Sequence, residues 1–447
     1  MSPQPADIQD IQGKTGLQMS NHQRNYILFL IAGSGLVAVA RAMTLSFLAI
    51  KLQQSFGLGP AVIGAILGAG PLVGALTAPF AGAMSDKVGR KTIMTITLIS
   101  MALALVGMGT AETVLAFCVA QIGGAVAVAV YEPISRAMMS DACPEPQRLK
   151  YFSWRYTAAN VGWAVGPLIG IAAGAASTFL FVIAGAMYAL FALALHLYKT
   201  PVMTTSRTDQ QTSSLSLFET VKTAARDPRL AFFIGGGTLL IAVYGQFSAT
   251  LAPYLAANFE GGVEIFAYML SINGVVVLVG NPFARRFIER TGALRALVIG
   301  CMFFCAGEIG YLLSGEFWAF AISIVIFTIG EILVVPSEYM LVDGISNDRN
   351  RGSYFGAHSF STVGNFVGPT LGGALLGMLG GPAMFLLFAG MAVASAILFT
   401  IGTKMPPPAI RSKALAPTSP ALLQDPKFRT SLSSRSVSTR LGHRPAW

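Results

Sequence analysis

The chain is expected to be an all-α membrane protein, with twelve transmembrane helices in two duplicated six-helix halves. Three observations point there. Charge is scarce: 54% of the 447 residues are hydrophobic and 11% charged, and the mean hydropathy is +0.63. A soluble domain carries about 25% charged residues, so lipid has to cover most of this surface. One stretch is near-duplicated 203 residues on, where Pro79, Phe80, Ala81, Asp86, Lys87 and Gly89 return as Pro282, Phe283, Ala284, Glu289, Arg290 and Gly292. A repeat at half the chain length implies two similar bundles joined in one chain. Lys and Arg, finally, crowd alternate connections between the apolar segments.

Apolar segments of about 20 residues, long enough to cross a bilayer, run near 26–50, 61–81, 92–110, 113–136, 152–174, 177–198, 230–256, 265–284, 295–313, 317–341, 353–378 and 383–403. Gly and Pro punctuate many of them, which helices in a bilayer tolerate. The longest internal polar stretch holds Lys199, Arg207, Lys222, Arg226 and Arg229, and divides the spans six and six. The chain therefore divides into an N-terminal tail (1–25), a first half (26–198), a linker (199–229), a second half (230–403) and a C-terminal tail (404–447). A second match supports the duplication. Pro133, Arg148, Tyr151 and Phe152 recur 203 residues on as Pro336, Arg351, Tyr354 and Phe355. Gly162, Gly166, Pro167 and Gly170 recur 202 residues on as Gly364, Gly368, Pro369 and Gly372.

Orientation follows from the bases. Counted from a cytosolic start, one side collects Lys87, Arg90, Lys91, Arg136, Arg148, Lys150, the linker bases, Arg285, Arg286, Arg290, Arg295, Arg349 and Arg351. The other has only Lys51, beside the acids Glu112, Glu260, Glu264 and Glu316. The positive-inside rule then puts both termini in the cytosol, and an odd number of spans would scramble the pattern. Residues 1–24 are polar and lack the apolar core of a signal peptide.

The turn between spans 2 and 3 reads Gly82-Ala83-Met84-Ser85-Asp86-Lys87-Val88-Gly89-Arg90-Lys91. Gly82 permits close helix approach and Gly89 a tight turn. Asp86 can accept hydrogen bonds from the N-terminus of a neighbouring helix, while Arg90 can clamp a carboxylate on another. Such a latch holds the halves together in one facing state and opens in the other. The second copy keeps Glu289 and Arg290 but has Ala293 and Leu294 for the last two bases, so it should latch more weakly. The spacing resembles the signature loop of the major facilitator superfamily, whose fold is two parallel six-helix repeats.

The run Gly162, Gly166, Pro167 and Gly170 resembles that superfamily's antiporter motif, a feature that accompanies export in known members. Small residues four apart also serve helix packing, and the twin run with Gly368 and Pro369 shows that packing is part of its job. Tyr131-Glu132-Pro133-Ile134-Ser135-Arg136, with Arg148, Arg155-Tyr156 and Asn160-Val161-Gly162, resembles the drug:proton antiporter branch that includes MdtH-type multidrug exporters. Many proton-driven exporters carry an arginine in the part of span 4 equivalent to Cys118–Gly123, and this chain has none. Arg41 in span 1 is the nearest replacement.

A charge at mid-bilayer costs about 2.5–3.5 kcal/mol, so it faces a cavity or a partner. Arg41 lies roughly 24 Å along span 1, at about 1.5 Å per residue. It contacts either an anionic substrate group or an acidic partner, or else forms a structural pair with a glutamate. Glu132 stands four residues before Arg136, which suits a helix-surface ion pair, and equally suits a proton-sensitive gate near the cytosolic mouth. Glu331 in span 10 and Glu308 in span 9 lie deep without a partner on their own helix, and Glu331 is the better proton carrier because the resemblance puts span 10 at the cavity. Tyr131, Tyr244, Gln246 and Phe247 can supply stacking and hydrogen bonds to a ligand. His358, standing where Arg155 stands in the first half, reads as structural.

The sequence has no phosphate loop, no Cys-rich or His-rich metal set and no nucleophile motif, so an enzyme, a cofactor and a bound metal are not expected. Cys118, Cys143, Cys301 and Cys305 read as apolar packing. Most of the net charge of +10 comes from the tail, with eight bases after Thr403 against Asp425 alone. That tail, rich in Pro and Ser, should be disordered; it either touches anionic headgroups or is simply solvated, and nucleic acid is not expected as a partner. The expected function is proton-coupled export of small amphipathic compounds by a monomer in the bacterial inner membrane. Its partners are a small-molecule substrate, protons and the lipid bilayer. The competing readings are a dedicated exporter of one metabolite such as a siderophore, an uptake carrier, and a non-transporting receptor or structural protein.

Overall fold

In the first half, α1 (Asn21–Leu45) and α2 (Leu48–Phe56) make the first expected span. The next five are α3 (Pro60–Val88), α4 (Arg90–Thr110), α5 (Val114–Ala142), α6 (Arg148–Ala172) and α7 (Thr178–Leu197). In the second half, α8 (Pro228–Tyr244) and α9 (Leu251–Asn258) make the seventh span, followed by α10 (Gly262–Thr291), α11 (Ala293–Leu313) and α12 (Phe317–Ile345). The eleventh combines α13 (Arg351–His358), a 3₁₀ turn (Ser359–Val363) and α14 (Gly364–Leu379), and α15 (Gly381–Lys404) is the last. The computed structural model describes residues 19–200, 227–346 and 351–407, without the side chains of residues 75, 78–87, 145, 351 and 352. The N-terminal tail to residue 18, linker residues 201–226, Arg349 and the C-terminal tail from residue 408 lie outside the described residues. All described helices belong to one compact unit ending at Pro406.

Among the described residues, nine helices are long and apolar enough to cross a membrane, and Pro60–Gly74 and Pro228–Tyr244 are shorter apolar stretches. The remaining rod, α6, has its first turns diluted by Arg148, Lys150, Arg155 and Asn160. Large apolar side chains such as Leu103, Leu115, Val119, Leu190 and Trp318 point outward and are mostly exposed, as a lipid-facing belt requires. The 202-residue offset has a local cause. The offset drops by one between the Arg155/His358 and Gly162/Gly364 pairs, where the second half has the 3₁₀ turn Ser359–Val363. A 3₁₀ turn rises about 2.0 Å per residue against about 1.5 Å in an α-helix, so fewer residues span the same depth.

Charged connections tie the helix ends together. Gly89 (φ 99°) and Gly292 (φ 85°) link α3 to α4 and α10 to α11 at equivalent places, in a backbone region that side chains disfavour. Lys91 donates to the carbonyls of His196 and Tyr198 at the end of α7, both at 2.9 Å. Gln23 donates to the Ala142 carbonyl at 2.8 Å, bringing the start of α1 to the end of α5. In the second half Asp227 caps α8, receives Arg229 at 2.8 Å and accepts a 2.6 Å hydrogen bond from Tyr354 of α13. Burial opposes its charge, but the Arg229 and Tyr354 bonds outweigh that and hold the carboxyl below the usual range.

Within each half, the glycine run of span 5 or 11 lies directly on span 1 or 7. A methyl added at Gly162 would stand 2.7 Å from Ala38 Cβ, at Gly166 2.5 Å from Ala42 Cβ, and at Gly170 2.4 Å from Phe47. In the second half, Gly364 and Gly368 press equally closely on Thr238 and Ala242 of α8, and Pro369 sits inside α14. Between the halves, α3 packs on α14, α6 on α10, and α2 on α9. The first and third contacts lie toward the end opposite the basic loops, where α2 ends and α3 begins. There a methyl at Gly64 would fall 2.0 Å from the Pro369 carbonyl oxygen, and one at Gly373 2.3 Å from that of Pro60.

No larger residue fits at Gly64 while this end is shut, and overpacking costs about 1–3 kcal/mol. Gly64→Leu should therefore deplete the closed arrangement roughly tenfold. The measurement is disulfide yield between cysteines placed at Ala61 and Gly377 with the native cysteines removed. A yield unchanged by Gly64→Leu would mean that this contact does not close the end.

Candidate functional site

Two cavities occupy equivalent places in the two halves. The first, about 390 Å³, lies between α1, α5 and α6 and is lined by Ser34, Val37, Arg41, Glu132 and Arg155, with Tyr131, Tyr156 and Trp163 among its aromatic walls. The second, about 170 Å³, lies between α8, α12 and the α13 segment and includes Tyr244, Val335, Glu338, Tyr339 and His358. Those last five residues stand 203 positions after Arg41, Glu132, Ser135, Arg136 and Arg155. The duplication has thus produced two pockets on one backbone plan with different chemistry.

Glu132 organises the first pocket. Its Oε1 lies 3.3 Å from Arg41 Nη1, and its Oε2 lies 3.3 Å from Arg136 Nη2 and 3.4 Å from Arg155 Nη2. Arg155 also donates to Ser34 at 3.2 Å and to Ser135 at 3.4 Å. Charge-assisted bonds of this type usually measure about 2.7–2.9 Å, so one carboxylate is shared loosely among three guanidiniums. The Arg41 Nε and the Tyr131 hydroxyl are buried without a hydrogen-bond partner. Arg41 thus has the glutamate partner that one sequence reading allowed, and Glu132 has the expected bond to Arg136 on its own helix. The convergence of Arg155 was not foreseen. Its signal was present, because a third cation sits in the opening turns of a span whose hydropathy it depresses.

The second pocket holds a buried acid–base pair. His358 Nε2 is 3.1 Å from Glu338 Oε1, and both side chains are 5% exposed. The approach is too oblique for a hydrogen bond, and His358 Nδ1 also has no partner. Gly237, at the position equivalent to Ser34, leaves room for the carboxylate: a methyl there would stand 2.2 Å from Glu338 Oε1. The expected structural role for His358 did not anticipate Glu338, which sequence reasoning passed over.

Other expected residues lie elsewhere. Tyr131 and Tyr244 line the first and second cavities. Gln246 lines neither. The chain breaks between α8 and α9, and the break turns Gln246 into the core, fully buried, donating to Glu308 at 3.4 Å and accepting from Thr250. Phe247 packs there against Phe327 and Tyr311. Glu308 is fully buried there, with Gln246 of the α8–α9 break as its partner. Glu331 points to α10 and accepts from Asn273 at 2.8 Å, rather than lining either cavity. The side chains of Gly82-to-Lys87, including the Asp86 carboxylate, lie outside the described residues. Arg90 is bonded to Asp141 at the end of α5, within its own half. Glu289 is bonded to Arg285 of its own helix at 2.8 Å, and Arg290 closes the last turn of α10. Among the described residues no group of three or more His, Cys, Asp or Glu could hold a metal, and the four cysteines are free.

The model of the Major Facilitator Superfamily matches residues 30–362 and, in a second match, residues 248–440. The chain belongs to that superfamily. It is 30% identical over 356 residues to the uncharacterised MFS-type transporter YqjV of Bacillus subtilis, covering 78% of this chain and 86% of the relative. It is 23% identical over 398 residues to the multidrug resistance protein MdtG of Salmonella typhi, covering 84% and 95%. The crystal structure of the nucleoside transporter NupG superposes with a TM-score of 0.73 at 15% identity, covering 87% of this chain and all of that one. The protein is therefore a multi-pass membrane transporter and not an enzyme.

If Glu132 is the counter-charge that lets Arg41 sit inside the bundle, Glu132→Gln should cost about 1–3 kcal/mol of stability. Glu132→Gln combined with Arg41→Gln should recover part of that loss, because the second change removes the stranded charge. Thermal unfolding of the purified variants in detergent measures both. Strict additivity would separate the two residues energetically.

Proposed function

We propose that this transporter is a proton-coupled exporter of small amphipathic compounds, working by alternating access in the bacterial inner membrane with both termini cytosolic. The observation that carries the reading is the asymmetry of the two ends. The α2–α9 and α3–α14 contacts shut the end away from the basic loops, while the larger cavity includes Arg136, whose side chain is 62% exposed near the basic end of α5. The positive-inside rule favours the cytosolic side for that end, which supports loading of the cavity from the cell interior. Similarity to a multidrug resistance protein and the Gly162–Gly170 run support export. Aromatic walls around a few polar groups suit an amphipathic ligand.

In this reading Arg41, Tyr131 and Tyr244 contact substrate, and Gly82, Asp86, Gly89 and Arg90, with Glu289 and Arg290 more weakly, latch the cytosolic end when the cavity faces outward. Gln246, expected at the substrate, serves instead to fix the α8–α9 break. Export against a gradient needs an energy source, and the chain has no nucleotide-binding motif. The proton gradient supplies it. A coupling carboxyl must bind its proton in one facing state and release it in the other. Glu331 is the first carrier and Glu132, beside Arg41, the second. Glu338, against His358, is a third that the structure adds.

Everted membrane vesicles with an acid interior, offered ethidium and carboxyfluorescein as separate probes, test the reading. A pH gradient should drive accumulation of at least one probe, and nigericin should abolish it. Glu331→Gln should remove active accumulation while leaving exchange, and Asp86→Asn should slow transport severalfold at unchanged protein level. Accumulation that ignores the pH gradient and follows sodium or membrane potential alone would reject proton coupling. Drive that survives Glu331→Gln would pass the proton to Glu132 or Glu338.

A further inference from the structure

We infer that the substrate is an organic anion, a carboxylate, sulfonate or phosphate joined to an aromatic or apolar body. The inference rests on the transporter reading of the first cavity and names its ligand class. Arg41, Arg136 and Arg155 all reach one carboxylate, Glu132. Three fixed positive charges and one negative leave an excess of two at the wall of a cavity of about 390 Å³. Among the described residues, no other acid pairs with any of the three guanidiniums.

The duplicated pocket is an internal control for the blander explanation, that the arginines are there for packing. The same backbone positions in the second half carry Tyr244, Tyr339 and His358, and the position of Glu132 carries Val335. The fold therefore accepts uncharged or weakly basic residues at all three arginine sites, and the cationic set belongs to one pocket only. Its bonds are also available for exchange. Each Arg–Glu132 contact is 3.3–3.4 Å, longer than a settled charge-assisted bond, and the Arg41 Nε is unpartnered. A planar fork of donors suits the flat carboxylate or the tetrahedral oxyanion of a ligand. The cavity lies within the range of about 300–1,000 Å³ that small-molecule sites occupy. Tyr131, Phe152, Tyr156 and Trp163 line it and can cover an apolar body while the arginines hold the charged end.

Purified protein in detergent can be unfolded thermally at fixed ionic strength with benzoate, phenyl phosphate or indole-3-acetate. Benzylamine and tryptamine serve as cationic partners of similar shape. At least one anion should raise the melting temperature in a concentration-dependent way, as a ligand that binds only the folded state must; the amines should not. Arg155→Gln should weaken that binding about tenfold, the effect of one lost charged contact of ordinary strength. Glu132→Gln, which raises the excess charge, should tighten it severalfold, and it provides the test if Arg155→Gln fails to fold. Stabilisation by the amines, by none of the probes, or by anions with no tightening in Glu132→Gln overturns the inference. The vesicle assay keeps the two readings apart. Gradient-driven accumulation of ethidium but not carboxyfluorescein would leave the exporter standing and remove the anion class. Anion stabilisation of the purified protein without any gradient-driven transport would do the reverse.

Discussion

A cation inside a membrane-spanning bundle needs a counter-charge, and in the first half that counter-charge is Glu132. It draws together α1 through Arg41, α6 through Arg155 and its own helix through Arg136. The close approach of α6 to α1 makes this possible. Gly162, Gly166 and Gly170 put no side chain of their own between the two helices, leaving only Ala38, Ala42 and Phe47 against them, so the guanidiniums of both helices reach the same point. Glycine packing and the charge cluster are thus two views of one arrangement, with the small residues setting the separation and the charges using it.

The second half repeats the packing and changes the chemistry. Gly364 and Gly368 bring α14 onto α8 in the same way, but the pocket that results holds Glu338 against His358, with Tyr244 and Tyr339 beside them. One ancestral pocket plan has become a cationic cavity on one side and a smaller acid–base cavity on the other. The main contacts between the halves are α2–α9, α6–α10 and α3 with both α14 and the 3₁₀ turn Ser359–Val363, so the 3₁₀ turn belongs both to this interface and to the wall of the second pocket.

Much of this was legible in the sequence. The 203-residue repeat, the twelve apolar segments and the glycine runs announced two packed bundles, and the resemblance of the turn between spans 2 and 3 to the superfamily's signature loop agrees with the family match. Arg41 stood out as the deepest cation. The remainder depended on distances between helices, which spacing within one helix cannot reveal. Glu132 and Arg136 are four residues apart and could be paired on paper, whereas Arg155 meets them from another helix. Glu338 escaped notice because its first-half counterpart is Ser135, so no repeat marks it. Gln246 was misplaced because a continuous apolar run hides the break between α8 and α9. Glu331 was aimed at a cavity by its span number, and Asn273 on α10 shows which way that face turns.

The central claim is that two rigid halves rock so that opening one end of the bundle closes the other. Electron–electron distance measurements on two spin-label pairs test it most directly. One pair, at Leu149 and Phe283, reports the basic end, and the other, at Leu115 and Leu313, the opposite end; all four positions are exposed. Across pH and added anions the two distance distributions should shift in opposite directions, one lengthening as the other shortens. Distances that change together, or one that changes while the other stays fixed, would contradict rocking halves.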